Sequence, residues 1–284
     1  MTDNPAPDSL LGKTAAQENF PVGSFLIAKP LRPHVAAYYR FARTADDISD
    51  HPTLPSEEKV AGLKAMGRAL VSGKAETPEA QASLALKRSL EETGVDPKHA
   101  LDLLIAFERD SVRARCRDWD DLIEYCRFSA MPVGRFLLEL HGETDALAWQ
   151  GSDALCTALQ ILNHLQDMKN DYLFLDRAYT PEDWMAETGG EFADLEGRAL
   201  TPGLEAVMGR MLDGAKALID TARLLPPAVN SRGLRMESAV IVRLAQRLYD
   251  RLRVGDPLAT RVKLTGWDFL AATLSGATSG YFRP

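Results

Sequence analysis

Strand-forming patterns are nearly absent from this 284-residue chain: it has no alternating run of β-branched residues and no Asn-Gly turn. That excludes sandwiches, barrels and doubly wound sheets as the organising architecture. Cysteine is scarce as well. Cys116, Cys126 and Cys156 are odd in number and have no CxxC spacing, which excludes a disulfide framework and a zinc site and reads as thiols in a reducing cytoplasm. No stretch reaches the roughly 18 uninterrupted apolar residues of a spanning helix. The start, MTDNPAPDSLLGKTAAQ, lacks the basic head and apolar run of a signal peptide, and residues 1–16 read as a mobile arm. Basic residues are in deficit, 33 against 40 acidic for a net charge of −7, which argues against a nucleic-acid partner. An anionic ligand is still allowed, because bound divalent cations reverse the sign of an acidic pocket locally.

What remains is helix. Ala, Leu, Glu and Arg recur at helical spacing, and the periodicity predicts helices over 31–50, 57–72, 78–93, 97–112, 119–129, 132–141, 152–175, 202–224, 231–254 and 266–279. The breaks carry Pro and Gly, no break has the composition of a domain linker, and no repeat appears. The reading is therefore all-α, one helical bundle over 17–284 with 45% hydrophobic residues to fill its core. One long connection, 176–201, has weak periodicity. Its length suits a lid that swings Arg177 and Tyr179 over a site, or equally a solvated connector.

Two aspartate pairs stand out, Asp46/Asp50 in FARTADDISD and Asp167/Asp171 in LQILNHLQDMKNDY. Residues four apart share a helix face, so each pair aims two carboxylates at one place. Asn163 and Gln160 extend the second stripe by two turns, and no evident charge partner neutralises either pair. Around Asp167 run Leu159, Ile161, Leu162, Leu165, Met168, Leu173 and Phe174, the pattern of a central helix whose inward carboxylates need metal or water. Oxygen ligands suit Mg²⁺. A di-iron bundle is not indicated, since His164 has no Glu three residues before it. Upstream, Tyr39, Arg40 and Arg43 are diphosphate ligands by type, although Arg43 also has Asp46 and Asp47 within reach as simple ion-pair partners. An acidic mouth above an apolar cavity fits metal-assisted departure of diphosphate from a hydrophobic chain, with Phe25, Phe128 and Phe136 either facing a carbocation or serving as ordinary core.

The segments YYRFARTADDISD (38–50), QILNHLQDMKNDY (160–172) and RAYTP (177–181), in this order, resemble the squalene/phytoene synthase family from about residue 17 to residue 280. ENFPVGSFLIAKPLRPHVAAYYRFAR (18–43) and YCRFSAMPVGR (125–135) look most like its hydroxysqualene-forming branch in bacterial hopanoid synthesis. The resemblance implies that Asp46, Asp50, Asn163, Asp167 and Asp171 face Mg²⁺ and diphosphate. Ser24, Tyr39, Arg43, Arg177 and Tyr249 become phosphate contacts. Phe25, Phe128, Gln160, Gln166 and Tyr179 complete the implied substrate site. The implied substrates are presqualene diphosphate and water, with no NADPH, and the implied functional partner is a presqualene diphosphate synthase. Such a protein is expected in the cytoplasm, with room for peripheral contact at the inner face of a membrane. The alternatives are condensation of two prenyl diphosphates to presqualene diphosphate or phytoene, or a non-catalytic binding module on the same scaffold. Two departures from the wider family are Phe128, where many relatives carry tyrosine, and Gln166, where an arginine commonly stands.

Overall fold

Apolar residues at spacings of three and four decide which face each helix buries. In α1 (Arg32–Ser49) they are Val35, Tyr38, Phe41, Ala45 and Ile48, and Pro33 in its first turn costs no hydrogen bond. The computed structural model describes residues 26–112 and 115–281, with side chains to residue 276. The arm expected over 1–16, and Ser24 and Phe25, lie outside the described residues. After α1 come α2 (Ser56–Ser72), α3 (Gln81–Thr93) and α4 (Lys98–Val112). Gly73 ends α2 at φ 74°, a left-handed cap that only glycine adopts without strain. These four helices close one apolar cluster around Phe41, Leu63, Met66, Leu86 and Leu103, into which α6 (Met131–Leu140) inserts Phe136 and Leu140.

A second, larger cluster joins α5 (Trp119–Ser129), α7 (Ala146–Leu175), α9 (Pro202–Ala222), α10 (Leu225–Ala228), α11 (Arg232–Leu252) and α12 (Gly266–Tyr281). At its centre runs α7, 30 residues or about 45 Å long, with Ala148, Leu155, Ala158, Ile161, Leu162 and Leu165 buried. This helix starts at 146 rather than the expected 152, because Asp145 caps it by accepting from the Leu147 N–H. In the fold Gly151 marks a close approach, since a Cβ there would lie 2.6 Å from the Leu225 nitrogen. Buried Glu143 then fixes the start of α11, accepting from the backbone N–H groups of Ser231 (2.6 Å) and Asn230 (2.9 Å).

The connection 176–201 is not a free lid. Ala178–Pro181 forms β2, paired in parallel with β1 (Arg115–Cys116), and α8 (Glu182–Thr188) and a 3-10 turn (Phe192–Glu196) follow. Met185, Leu195 and Arg177 are buried. Isolated short elements carry too few residues to show a period, so they read as loop in sequence. Among the described residues no helix is long and apolar enough to cross a membrane.

Candidate active site

Helices α1 and α7 face one another across an apolar cavity of ≈360 Å³. Val35, Tyr38, Tyr39 and Ala42 line it from α1, and Leu155, Cys156, Leu159, Gln160 and Asn163 from α7. The next turn of α1 after Ala42 carries Asp46, and the next turn of α7 after Asn163 carries Asp167. Arg177 links the two stripes: it bonds Asp50 and lines a small pocket together with Asp171. Phe136 lines the wall and stacks on Tyr38, centroids 4.0 Å apart.

The aspartates have more charge partners than their local sequence suggests. Arg43 reaches Asp46 (3.1 Å) and Asp47 (2.5 Å). Arg177, 127 residues beyond Asp50, bonds its carboxylate at 2.5 Å and also donates to the backbone carbonyl and hydroxyl of Ser49. Arg261 grips Asp167 with two bonds of 2.7 and 2.9 Å. The expectation of pairs without charge partners is corrected here: two of these partners come from distant segments, which helical spacing cannot reveal. A fourth cation, Lys59 of α2, lies near Arg177 and Asp50, and its pKa is lowered by burial and by Arg177.

Asp46 carries the clearest electrostatic mark. Burial, and next the charge of Asp50, push its carboxyl up to about 7 despite Arg43. A carboxyl raised by burial and by a neighbouring carboxylate favours a cation beside it. The donor set of Asp46, Asp50, Asn163, Asp167 and Asp171 is all oxygen, which fits a hard cation. Among the described residues no group of three or more His, Cys, Asp or Glu side chains forms a cluster able to hold a metal by itself. The four aspartates are therefore not gathered around one point in this structure.

Between the two pairs lies a buried polar layer that sequence reading missed. Asp110 of α4 accepts from the Tyr125 hydroxyl at 2.7 Å. Burial pushes the Asp110 carboxyl up, and Arg177, Tyr125 and His164 pull it back. Burial lowers the Arg177 pKa, but Asp110, Tyr179 and Asp50 outweigh it and raise the net value, so the guanidinium stays charged. Tyr179 stacks on His164 with centroids 3.5 Å apart, and His164 Nδ1 stands 4.0 Å from Asp171. Arg177 and Tyr179 are thus fixed parts of the site. Nothing in the residues around Asp110 marks it in sequence, and only the fold brings it to Arg177.

Other expected positions fall differently. Phe128 packs against the larger core cluster and is not among the residues lining the cavity, whereas Ser129 and Ala130 are. Gln166 is buried and its amide donates to the Val262 carbonyl at 2.6 Å, anchoring the segment that carries Arg261. Tyr249 packs half-buried on the larger cluster and is also not a lining residue. Leu173 and Phe174 are exposed and do not wall in the carboxylates.

A family profile described as squalene/phytoene synthase matches residues 13–268. The hydroxysqualene synthase of Rhodopseudomonas palustris is 42% identical over 273 residues, 96% of this chain and 92% of that protein. That of Zymomonas mobilis is 42% identical over 88% of this chain and 84% of its own length. The crystal structure of squalene synthase HpnC from Alicyclobacillus acidocaldarius superposes with TM-score 0.73 at 32% identity, covering 84% of this chain and 90% of that one.

Proposed function

The chain belongs to the squalene/phytoene synthase family, and on that premise we propose that it is an enzyme converting presqualene diphosphate and water to hydroxysqualene and diphosphate. The observation that supports the reading is Arg177, which bonds Asp50 of α1 and shares a small pocket with Asp171 of α7, the two helices whose preceding turns line the apolar cavity. Asp46, Asp50, Asn163, Asp167 and Asp171 would hold Mg²⁺. When bound, it supplies Lewis acidity toward the departing diphosphate.

The chain's own residues do the rest. Arg43 and Arg177 are placed to meet diphosphate oxygens as the C–O bond breaks, and both keep their charge at neutral pH. Tyr39 stands at the cavity end of the same helix face and orients the head of the substrate. The stacked Tyr38 and Phe136 offer ring faces to a migrating positive charge while the aliphatic wall excludes bulk water. Ring opening and rearrangement need no further group, and capture by water ends the sequence as an alcohol, without a nicotinamide. Exposed Leu173 and Phe174, in the last turn of α7 after Asp171, favour peripheral contact with a bilayer from which an apolar substrate enters.

The test is product identification by mass spectrometry with Mg²⁺ and either presqualene diphosphate or farnesyl diphosphate, with and without NADPH. Hydroxysqualene from presqualene diphosphate alone is expected, unchanged by NADPH. Consumption of farnesyl diphosphate as sole substrate would assign the chain to condensation instead.

A further inference from the structure

Beside Asp171 the fold encloses a second, much smaller pocket of ≈10 Å³, lined by polar His164, Asp171, Arg177, Tyr179 and Thr180 and sealed by Leu165, Met168, Leu195 and Met211. That is room for about one water, and a buried water needs two to four polar partners. Thr180, in β2, is 3% exposed, and its Oγ1 is buried with no hydrogen-bond partner among the described residues. A buried hydroxyl left so costs stability unless water satisfies it. One face of the His164 imidazole stacks on Tyr179, and its Nε2 lies 3.2 Å from the Gln160 amide nitrogen. Gln160 in turn lines the large apolar cavity. His164 thus lines the water-sized pocket and touches Gln160 of the cavity wall.

We infer that this pocket binds a single water, held by Thr180, and that this is the water which captures the last carbocation, passed to the cavity at Gln160. The inference rests on the reaction proposed above. A reaction that runs through several cations before hydration must keep water out of the cavity and still have one molecule at hand. Open access would give early capture, and complete exclusion would end in proton loss to an alkene. In the capture step the water oxygen forms the new C–O bond, and the resulting oxonium gives one proton to the diphosphate displaced at the start. No other reactant is consumed.

The experiment compares wild type, Thr180→Val and Thr180→Ser on presqualene diphosphate with Mg²⁺ in ¹⁸O-labelled water, reading released diphosphate and the ratio of alcohol to alkene. Thr180→Val keeps the shape and removes the hydroxyl. It should release diphosphate at a rate near wild type while the alcohol-to-alkene ratio falls by at least about tenfold, and Thr180→Ser should restore the ratio. An unchanged ratio in Thr180→Val, or equal loss in Val and Ser, overturns the inference, as does loss of diphosphate release in Thr180→Val. If Thr180→Val does not fold, the same ratio is read in His164→Leu, where no change overturns it. Wild-type protein that releases no diphosphate from presqualene diphosphate would instead refute the proposed reaction, and the alcohol ratio plays no part in that outcome.

Discussion

Replacing Asp46 by Asn should stabilise the protein when Mg²⁺ is absent. The Asp46 carboxyl is raised from 3.8 to about 7, burial being the larger cause and Asp50 the next. Between those values the unfolded chain has released the proton and the folded chain still holds it. Stability from this group is therefore lost as pH rises from about 4 to about 7, and is flat above. Three units correspond to about 4 kcal/mol in full. The side chain is 37% exposed, so solvent screening reduces this to about 1–2 kcal/mol. Losing the Arg43 bridge subtracts less than about 1 kcal/mol, since Arg43 keeps Asp47. Urea unfolding of both proteins in EDTA should show Asp46→Asn more stable by about 1 kcal/mol at pH 8, with the gap closing toward pH 4. Saturating Mg²⁺ should reverse the order at pH 8, because a cation binding only the folded wild type stabilises it alone. An Asn variant less stable than wild type at pH 8 in EDTA would refute the reasoning.

Arg177→Met removes a buried guanidinium and leaves Asp50 facing Asp46, and should cost about 3 kcal/mol in chemical denaturation; a loss below about 0.5 kcal/mol would contradict the buried pairing. Glu143→Gln weakens the carboxylate bonds to Ser231 and Asn230, an expected loss of about 1–2 kcal/mol by urea titration. Gly151→Ala drives a methyl into the Leu225 backbone and should lower stability by about 1–3 kcal/mol, with unchanged helix content by circular dichroism. Asp46→Ala and Asp167→Ala should each reduce turnover by roughly 10²–10³ while the protein stays folded, and near-native turnover in either would remove that aspartate from the site.

The long helices were legible because each buries one stripe along its whole length, as Val35 to Ile48 do in α1. The aspartate pairs were legible for the same reason, being local to one helix each. What local spacing cannot hold is a contact made across the fold. Arg177 with Asp50, Arg261 with Asp167, and Asp110 with Tyr125 and Arg177 depend on how α1, α4, α5, β2 and the segment before α12 come together. Gln166 and Phe128 are a different case. Motif position puts them in the implied substrate site, while the fold packs Phe128, partly buried, against the larger cluster and gives the Gln166 amide a bond to the Val262 carbonyl. The start of α7 lies six residues before the predicted one, where Asp145 caps the helix.

The central claim is that the α1 and α7 carboxylates grip diphosphate only through Mg²⁺. Calorimetric titration of the protein with inorganic pyrophosphate measures it directly. Binding is expected with Mg²⁺ and not in EDTA, and should be lost in both Asp50→Asn and Asp171→Asn. Pyrophosphate that binds equally well in EDTA, or equally well to both variants, would contradict the account.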